Sequence, residues 1–403
     1  MSTTDTDVID ATHATDVGGA VTLTDAEMDP HITHAATRRW LADQGLPSGG
    51  GALLRFDAVR EDGLRRVADL VGEADKLAEE LRDHLVIGAL RTLDRDLESL
   101  VLDGATGEVT TTYFYGNPGH LDLAPLAPSL EALLRFTEAT EELAASRGQF
   151  ASYEGRFGQK AVGEASRALS AVFEEHAGDA GVPPYWKMAA LIRPLARIAG
   201  PGDGLVLDLP RRLLDEEFGA AGIMRFEDVD FPPALTHEPT RRFLREVGLP
   251  EDGYMFQLDT EVPLPTLTEY CTDIRCDDFT TDELPLGSDH LIRLGHLIED
   301  TSLVVDGATG TVLAWSEPDT TLRPLNTDIS TLAFTLWLLH REKSLDAEHD
   351  LSAAYEQLAA TMTETLAQVD PVACDPTPLS ATDDGWRYWP EIFEDQAGGA
   401  LYA

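Results

Sequence analysis

Basic residues are scarce in this chain. Lys and Arg number 30 against 72 Asp and Glu in 403 residues, and the formal net charge is −42. Only Lys76, Lys160, Lys187 and Lys343 are lysines. That balance argues against binding nucleic acid or anionic membranes through phosphate groups, since such binding draws on Lys and Arg. It favours solubility and fast capture of a basic partner, although a solvated acidic surface with no partner would have the same composition. Asparagine is nearly missing, with Asn117 and Asn326 alone, which together with the rarity of lysine is the bias of a GC-rich genome. The three cysteines, Cys271, Cys276 and Cys374, form no even framework and no CxxC ligand pair. No apolar run reaches membrane-spanning length, the longest helical one lying around Leu332 to Leu339. Residues Met1 to Asp7 lack the basic region and apolar core of a secretory signal. The reading is a cytoplasmic protein in a reducing compartment.

What the chain does have is a repeated text. Thr37-Arg38-Arg39-Trp40-Leu41, followed by Gly45-Leu46-Pro47, returns as Thr240-Arg241-Arg242-Phe243-Leu244 and Gly248-Leu249-Pro250, a shift of 203 (240 − 37). Asp103-Gly104-Ala105-Thr106-Gly107 returns as Asp306-Gly307-Ala308-Thr309-Gly310 at the same shift. Two unlinked matches at one offset imply two copies of one domain.

The expected organisation is a disordered tail over 1–28, a divergent copy over 29–145, a helical connector over 146–202, a clearer copy over 203–345, and a C-terminal helix with an aromatic tail over 346–403. In the first copy the pattern predicts a helix over 37–46, a strand at Leu53 to Phe56, a helix-permissive stretch from Leu64 to His84, and a hairpin turning at Asp103 to Gly107. A helix over 130–145 with Ser129 as N-cap closes it. The second copy repeats this order, and its closing helix from Ile329 to Leu339 is apolar on nearly every face, as befits the centre of a core. Trp386, Tyr388, Trp389 and Phe393 crowd the tail; they read as docking back onto the domain or as a hook for a partner.

No strong catalytic or cofactor signature is present. The Asp-Gly-Ala-Thr-Gly segments lack the downstream Lys-Ser/Thr of a phosphate loop and lie between strands, so they read as turns. His34 and His237 are equivalent under the repeat, either as a paired site or as a local polar contact. The repeated cations Arg38-Arg39 and Arg241-Arg242 suit internal salt links, with acids of the adjacent hairpin as candidates, or an anion site. Glu216-Glu217 is a carboxylate pair without specificity in so acidic a chain, and Ser288-Asp289-His290 is a loop cluster rather than a triad. Cys271 and Cys276 read as ordinary cysteines. No catalytic, cofactor-binding or metal-ligating residue is nominated.

The order TRRFL…VGLP, an apolar strand, LIRLGHLIEDTSLVVDGATGTV and PLNTDISTLAFTL resembles the SUKH superfamily of bacterial immunity proteins, most closely its fourth subgroup of actinobacterial type. The likeness is close over 205–343 and looser over 29–145, where Ala127-Pro128-Ser129 stands near the place of Asn326-Thr327-Asp328. It implies an α+β fold of two tandem SUKH-like domains, each a mostly antiparallel sheet flanked by helices. It also implies a non-enzymatic binding protein without cofactor that neutralises a polymorphic toxin, commonly a nuclease or nucleic-acid deaminase. A basic protein partner, with neither nucleic acid nor membrane, fits both the likeness and the charge. Two other readings stay open: a housekeeping scaffold or regulator of the same fold, and a hydrolase built on clustered acids.

Overall fold

A computed structural model of the chain describes residues 19–47, 51, 53–56, 59, 63–71, 76–93, 95–114, 121–253, 255–273, 284–298, 300–376, 385–395 and 401. The first copy opens with β1 (Ala20–Val21), then α1 (Ala35–Asp43), then β2 (Leu46–Pro47), which pairs back with β1 so that Ala20 faces Pro47. Its sheet is built from β3 (Leu54–Arg55), β4 (Arg65–Arg66), β5 (Leu85–Thr92), β6 (Arg95–Leu102), β7 (Val109–Thr112) and β8 (Ala124–Ala127). The strand order is β3-β5-β6-β7-β8, with β4 also paired to β5. A short α2 (Val67–Leu70) follows β4, and α3 (Leu130–Ala144) follows β8. Then come α4 (Gln159–His176) and α5 (Pro184–Ile192). Pro194 cannot donate to a helical ladder, and from Arg193 to Arg197 the chain tightens into a 3-10 helix.

Beyond the ribbon of β9 (Gly200–Pro201) and β10 (Leu207–Asp208), α6 (Leu213–Phe218) stops at Gly219, whose φ is +79°. The second copy then repeats the first. β11 (Ile223–Met224), α7 (Glu238–Glu246) and β12 (Leu249–Pro250) match β1-α1-β2, with Ile223 opposite Pro250. The shift is 203 at both ends (223 − 20 and 250 − 47). Its sheet runs in simple order through β13 (Asp252–Gly253), β14 (Phe256–Leu258), β15 (Leu291–Leu297), β16 (Thr301–Asp306), β17 (Val312–Ser316) and β18 (Thr321–Asn326), all antiparallel. Between β14 and β15 lies α8 (Leu267–Asp273); after the sheet come α9 (Ile329–His349), α10 (Tyr355–Val369) and α11 (Tyr388–Glu394).

The repeated turn is a structural lock. In each copy the Asp carboxylate accepts the N–H two residues on: Ala105 to Asp103 at 2.8 Å and Ala308 to Asp306 at 2.9 Å. The carbonyl of Gly104 accepts from Thr33 and His34, both at 2.9 Å, and that of Gly307 accepts from Thr236 at 2.7 Å and His237 at 2.8 Å. Gly107 and Gly310 close the turns at φ +84° and +80°. A Cβ on either would stand 2.4 or 2.2 Å from the imidazole of His34 or His237, so no other residue fits.

Helix α9 is buried along Leu332, Ala333, Phe334, Leu336, Trp337, Leu338 and Leu339, and it joins Ile292, Leu294, Leu303 and Val305 of the sheet in the main core. Its start is fixed by Asp328, whose Oδ1 accepts from the N–H of Ser330 at 2.8 Å and of Thr331 at 3.3 Å, while Thr331 returns a capping-box contact.

Three expectations change. Order begins before residue 29: β1 is paired, and Leu23 and Met28 are buried; residues 1–18 lie outside the description. The helix-permissive stretch from Leu64 to His84 holds, among its described residues, β4, the one-turn α2 and a 3-10 turn at Glu79–Leu81. The connector and the aromatic tail are the same part of two copies. Tyr185-Trp186 in α5 and Tyr388-Trp389 in α11 are 203 residues apart (388 − 185). Each pair meets edge to face, with ring centroids 4.8 and 5.1 Å apart. Trp186 Nε1 donates to the Leu126 carbonyl at 2.8 Å, and Trp389 Nε1 to Asn326 Oδ1 at 3.0 Å, each at the end of the last sheet strand of its copy. Between these landmarks the shift slips to 199 (329 − 130), because the span from the start of β7 to the end of β8, 109–127, is four residues longer than that from the start of β17 to the end of β18, 312–326. By compactness the chain divides into one unit of Met1–Arg91, Glu98–Ala124 and Ser129–Glu131, and another of Thr92–Leu97, Pro125–Pro128 and Ala132–Ala403.

Candidate binding surface

The repeated histidines make local contacts. His34 Nδ1 lies 2.9 Å from Thr37 Oγ1, and His237 Nδ1 lies 2.8 Å from Thr240 Oγ1, both at the first turn of the repeated helix. The repeated arginines form internal links, but not to the hairpin. Arg38 bonds Asp25 at 3.0 Å and Arg241 bonds Asp228 at 3.2 Å, and each acid lies thirteen residues before its arginine. Arg245 joins Asp228 at 2.7 Å, and these two arginine contacts hold the Asp228 carboxyl below its usual range. Arg39 and Arg242 are exposed, and they donate to the backbone carbonyls of Ala35 and Asp203.

The other nominated clusters separate. Glu216 takes a hydrogen bond from Gln159 at 2.9 Å, while Glu217 lies 3.1 Å from His340, so the pair does not converge. Ser288–His290 is a 3-10 turn, with Thr268 donating to Ser288 Oγ at 2.8 Å. Cys374 is buried, and burial pushes its thiol well above the usual value; Cys276 lies outside the described residues. Among the described residues no group of three His, Cys, Asp or Glu is arranged to hold a metal ion. The tail aromatics Tyr388, Trp389 and Phe393 are buried, leaving Trp386 partly exposed.

The most developed polar site was not visible in the sequence. The second sheet has two faces. Ile292, Leu294, Leu303 and Val305 face the main core, whereas Leu291, Val304 and Trp315 form a smaller cluster with Leu267 of α8. On that second side Arg293 is 4% exposed, which is rare for a cation unless it is paired. Its Nη1 is salt-bridged to Asp259, and its Nε donates to Ser302 Oγ at 3.1 Å. Ser302 in turn donates to Glu317 Oε1 at 3.3 Å. The guanidinium lies 3.7 Å from the centroid of the Tyr270 ring, a close cation–π contact. A bulge between Arg293 and Gly295 shifts the register of β15 there. This cluster lines a cavity of about 610 Å³ that also carries Gln257, His296, Asp300 and Thr301.

Sequence spacing could not assemble these residues, because they come from three strands, a helix and the loops beside them. The one legible hint was an Arg inside the otherwise apolar run LIRLGHLI. To a ligand the arrangement offers a rigid buried cation, an aromatic face and acceptors at the rim.

No curated protein and no solved structure matches the chain. A protein-family comparison gives SUKH-4 immunity protein over residues 10–173 and again over 209–395. Both stretches run past their sheets; the first ends within α4, before Tyr185-Trp186, and the second reaches α11 with Tyr388-Trp389. With two matches that follow the two structural copies and cover most of its length, the chain belongs to the SUKH-4 immunity protein family, as two tandem copies of its domain.

Proposed function

We propose that this protein is a non-enzymatic immunity protein that neutralises a basic toxin domain of nuclease or deaminase type by binding it inside the cell. The observation that carries the reading is the charge of −42 in a member of an immunity family. The few cations do little to offset it outwardly: Arg38, Arg193, Arg225, Arg241, Arg245 and Arg293 are all engaged by acids of the same chain. Ionised acids are seldom buried unpaired, so the surplus faces water and is available to a cationic surface.

Affinity capture from the native cell, followed by production of the captured protein alone and together with this chain, tests the proposal. The expected partner carries a basic domain, is toxic alone and is tolerated when co-produced. A partner harmless by itself would favour a scaffold or regulator of the same fold.

A further inference from the structure

We propose that the cavity beside Arg293 receives a cationic side chain of the partner, together with its flanking peptide, and that the second copy alone binds in this way. The proposal rests on the functional reading above and names the site within it.

One place on the sheet differs between the two copies. Gly88 and Gly295 mark it, since a Cβ on either would fall 2.2 or 2.1 Å from the carbonyl oxygen of Arg55 or Gln257 on the adjoining strand. Two residues earlier stand Val86 and Arg293. At the 203-residue shift, Ser302 corresponds to Ser99, and Glu317 to Phe114. In the first copy Val86 and Phe114 pack against the apolar cluster of Val67, Leu77 and Val101. Among the described residues the first copy therefore places apolar side chains here, which is cheaper than burying an ion pair. The second copy instead holds a desolvated arginine, its acid and an open cavity.

The chemistry of the lining selects the occupant. Asp259 neutralises Arg293, which leaves Asp300 and Glu317 as surplus acids at the cavity. Asp300 is exposed and Glu317 partly so, and the backbone N–H of Glu317 bonds the Asp300 carbonyl at 3.2 Å, which holds the two together. Among the described residues nothing accepts from Nη2 of Arg293, so that amino group is free to bond a peptide carbonyl of the ligand. A volume of about 610 Å³ is in the range of sites that enclose a whole small ligand, more than one side chain.

Two measurements test this. The first is a titration with N-acetylargininamide, followed by amide chemical shifts, with the uncharged N-acetylcitrullinamide as control. Shifts centred on Tyr270, Ser302 and Glu317 with the arginine compound alone are expected. No shift there, or equal shifts with both compounds, would overturn the proposal.

The second uses the captured basic partner against Asp300→Lys with Glu317→Lys, and against Glu174→Lys with Asp179→Lys on an exposed part of the connector. The two doubles change net charge equally. The cavity double is expected to weaken binding by roughly tenfold or more, and the control pair by about twofold. Equal effects would remove the site and leave the immunity reading standing. If capture returns no toxic partner, that reading falls, while the argininamide titration still decides the cavity.

Discussion

Glu342 of α9 is fully buried, and neither carboxylate oxygen has a hydrogen-bond partner among the described residues. Burial, aided by Asp346 and opposed by Lys343, pushes its carboxyl from 4.5 up to about 8. The folded state thus holds a proton that the unfolded chain releases, and stability falls as pH rises from about 4.5 to about 8, then levels off. Glu342→Gln keeps the shape without the charge. It should match the wild type near pH 4, melt higher at pH 8 by the equivalent of a few kcal/mol, and flatten the pH profile between. Thermal melts across that range check it; an unchanged profile would place the titration elsewhere. Residues sharing a repeat position need not share a burden: Phe243 is 6% exposed, whereas Trp40 is only partly buried. Phe243→Ala should cost about 3–5 kcal/mol in chemical denaturation, and Trp40→Ala clearly less. Equal losses would contradict that ranking.

Among the elements, α9 and the tail depend on one polar junction. Asp370, fully buried, accepts from Asn326 Nδ2 at 2.9 Å and from Thr327 Oγ1 at 2.6 Å, while Asn326 Oδ1 takes the Trp389 indole. Trp389→Phe should cost about 1–3 kcal/mol, because it leaves a buried amide oxygen unsatisfied. Asp328→Ala should cost about 2 kcal/mol, the upper end for a cap, since Oδ2 also holds the N–H of Val206 at 2.6 Å. If urea unfolding left either variant as stable as the wild type, the junction would be incidental. The elements that were legible in the sequence share a local cause. The Asp-Gly turns, the helix with Thr-Arg-Arg, and the apolar α9 are each set by side chains within one or two turns of chain. The stretch from Leu64 to His84 was not, because its charged, helix-permissive residues are overridden by β4 pairing to β5. The Arg293 cavity stayed hidden for the opposite reason: strand pairing assembles it from positions up to 62 residues apart (317 − 255), and no local pattern records that.

At the scale of the whole chain, repetition is the fact that organises the rest. Two phrases at one offset were enough to find it, but they placed its limits too narrowly, since Tyr185-Trp186 and Tyr388-Trp389 carry the repeat to the end of each copy. The copies diverge where chemistry differs: apolar Val86 and Phe114 in one, Arg293 and Glu317 in the other. The surrounding charge of −42 would act before any such contact forms, over about 8 Å at physiological salt. The most direct measurement of this account is therefore the association rate of the captured partner, by stopped flow, from low to high salt. The account predicts a steep fall in that rate, with a smaller change in dissociation. A rate that stays flat would mean that the charge serves solubility alone, and would contradict recognition through a basic surface.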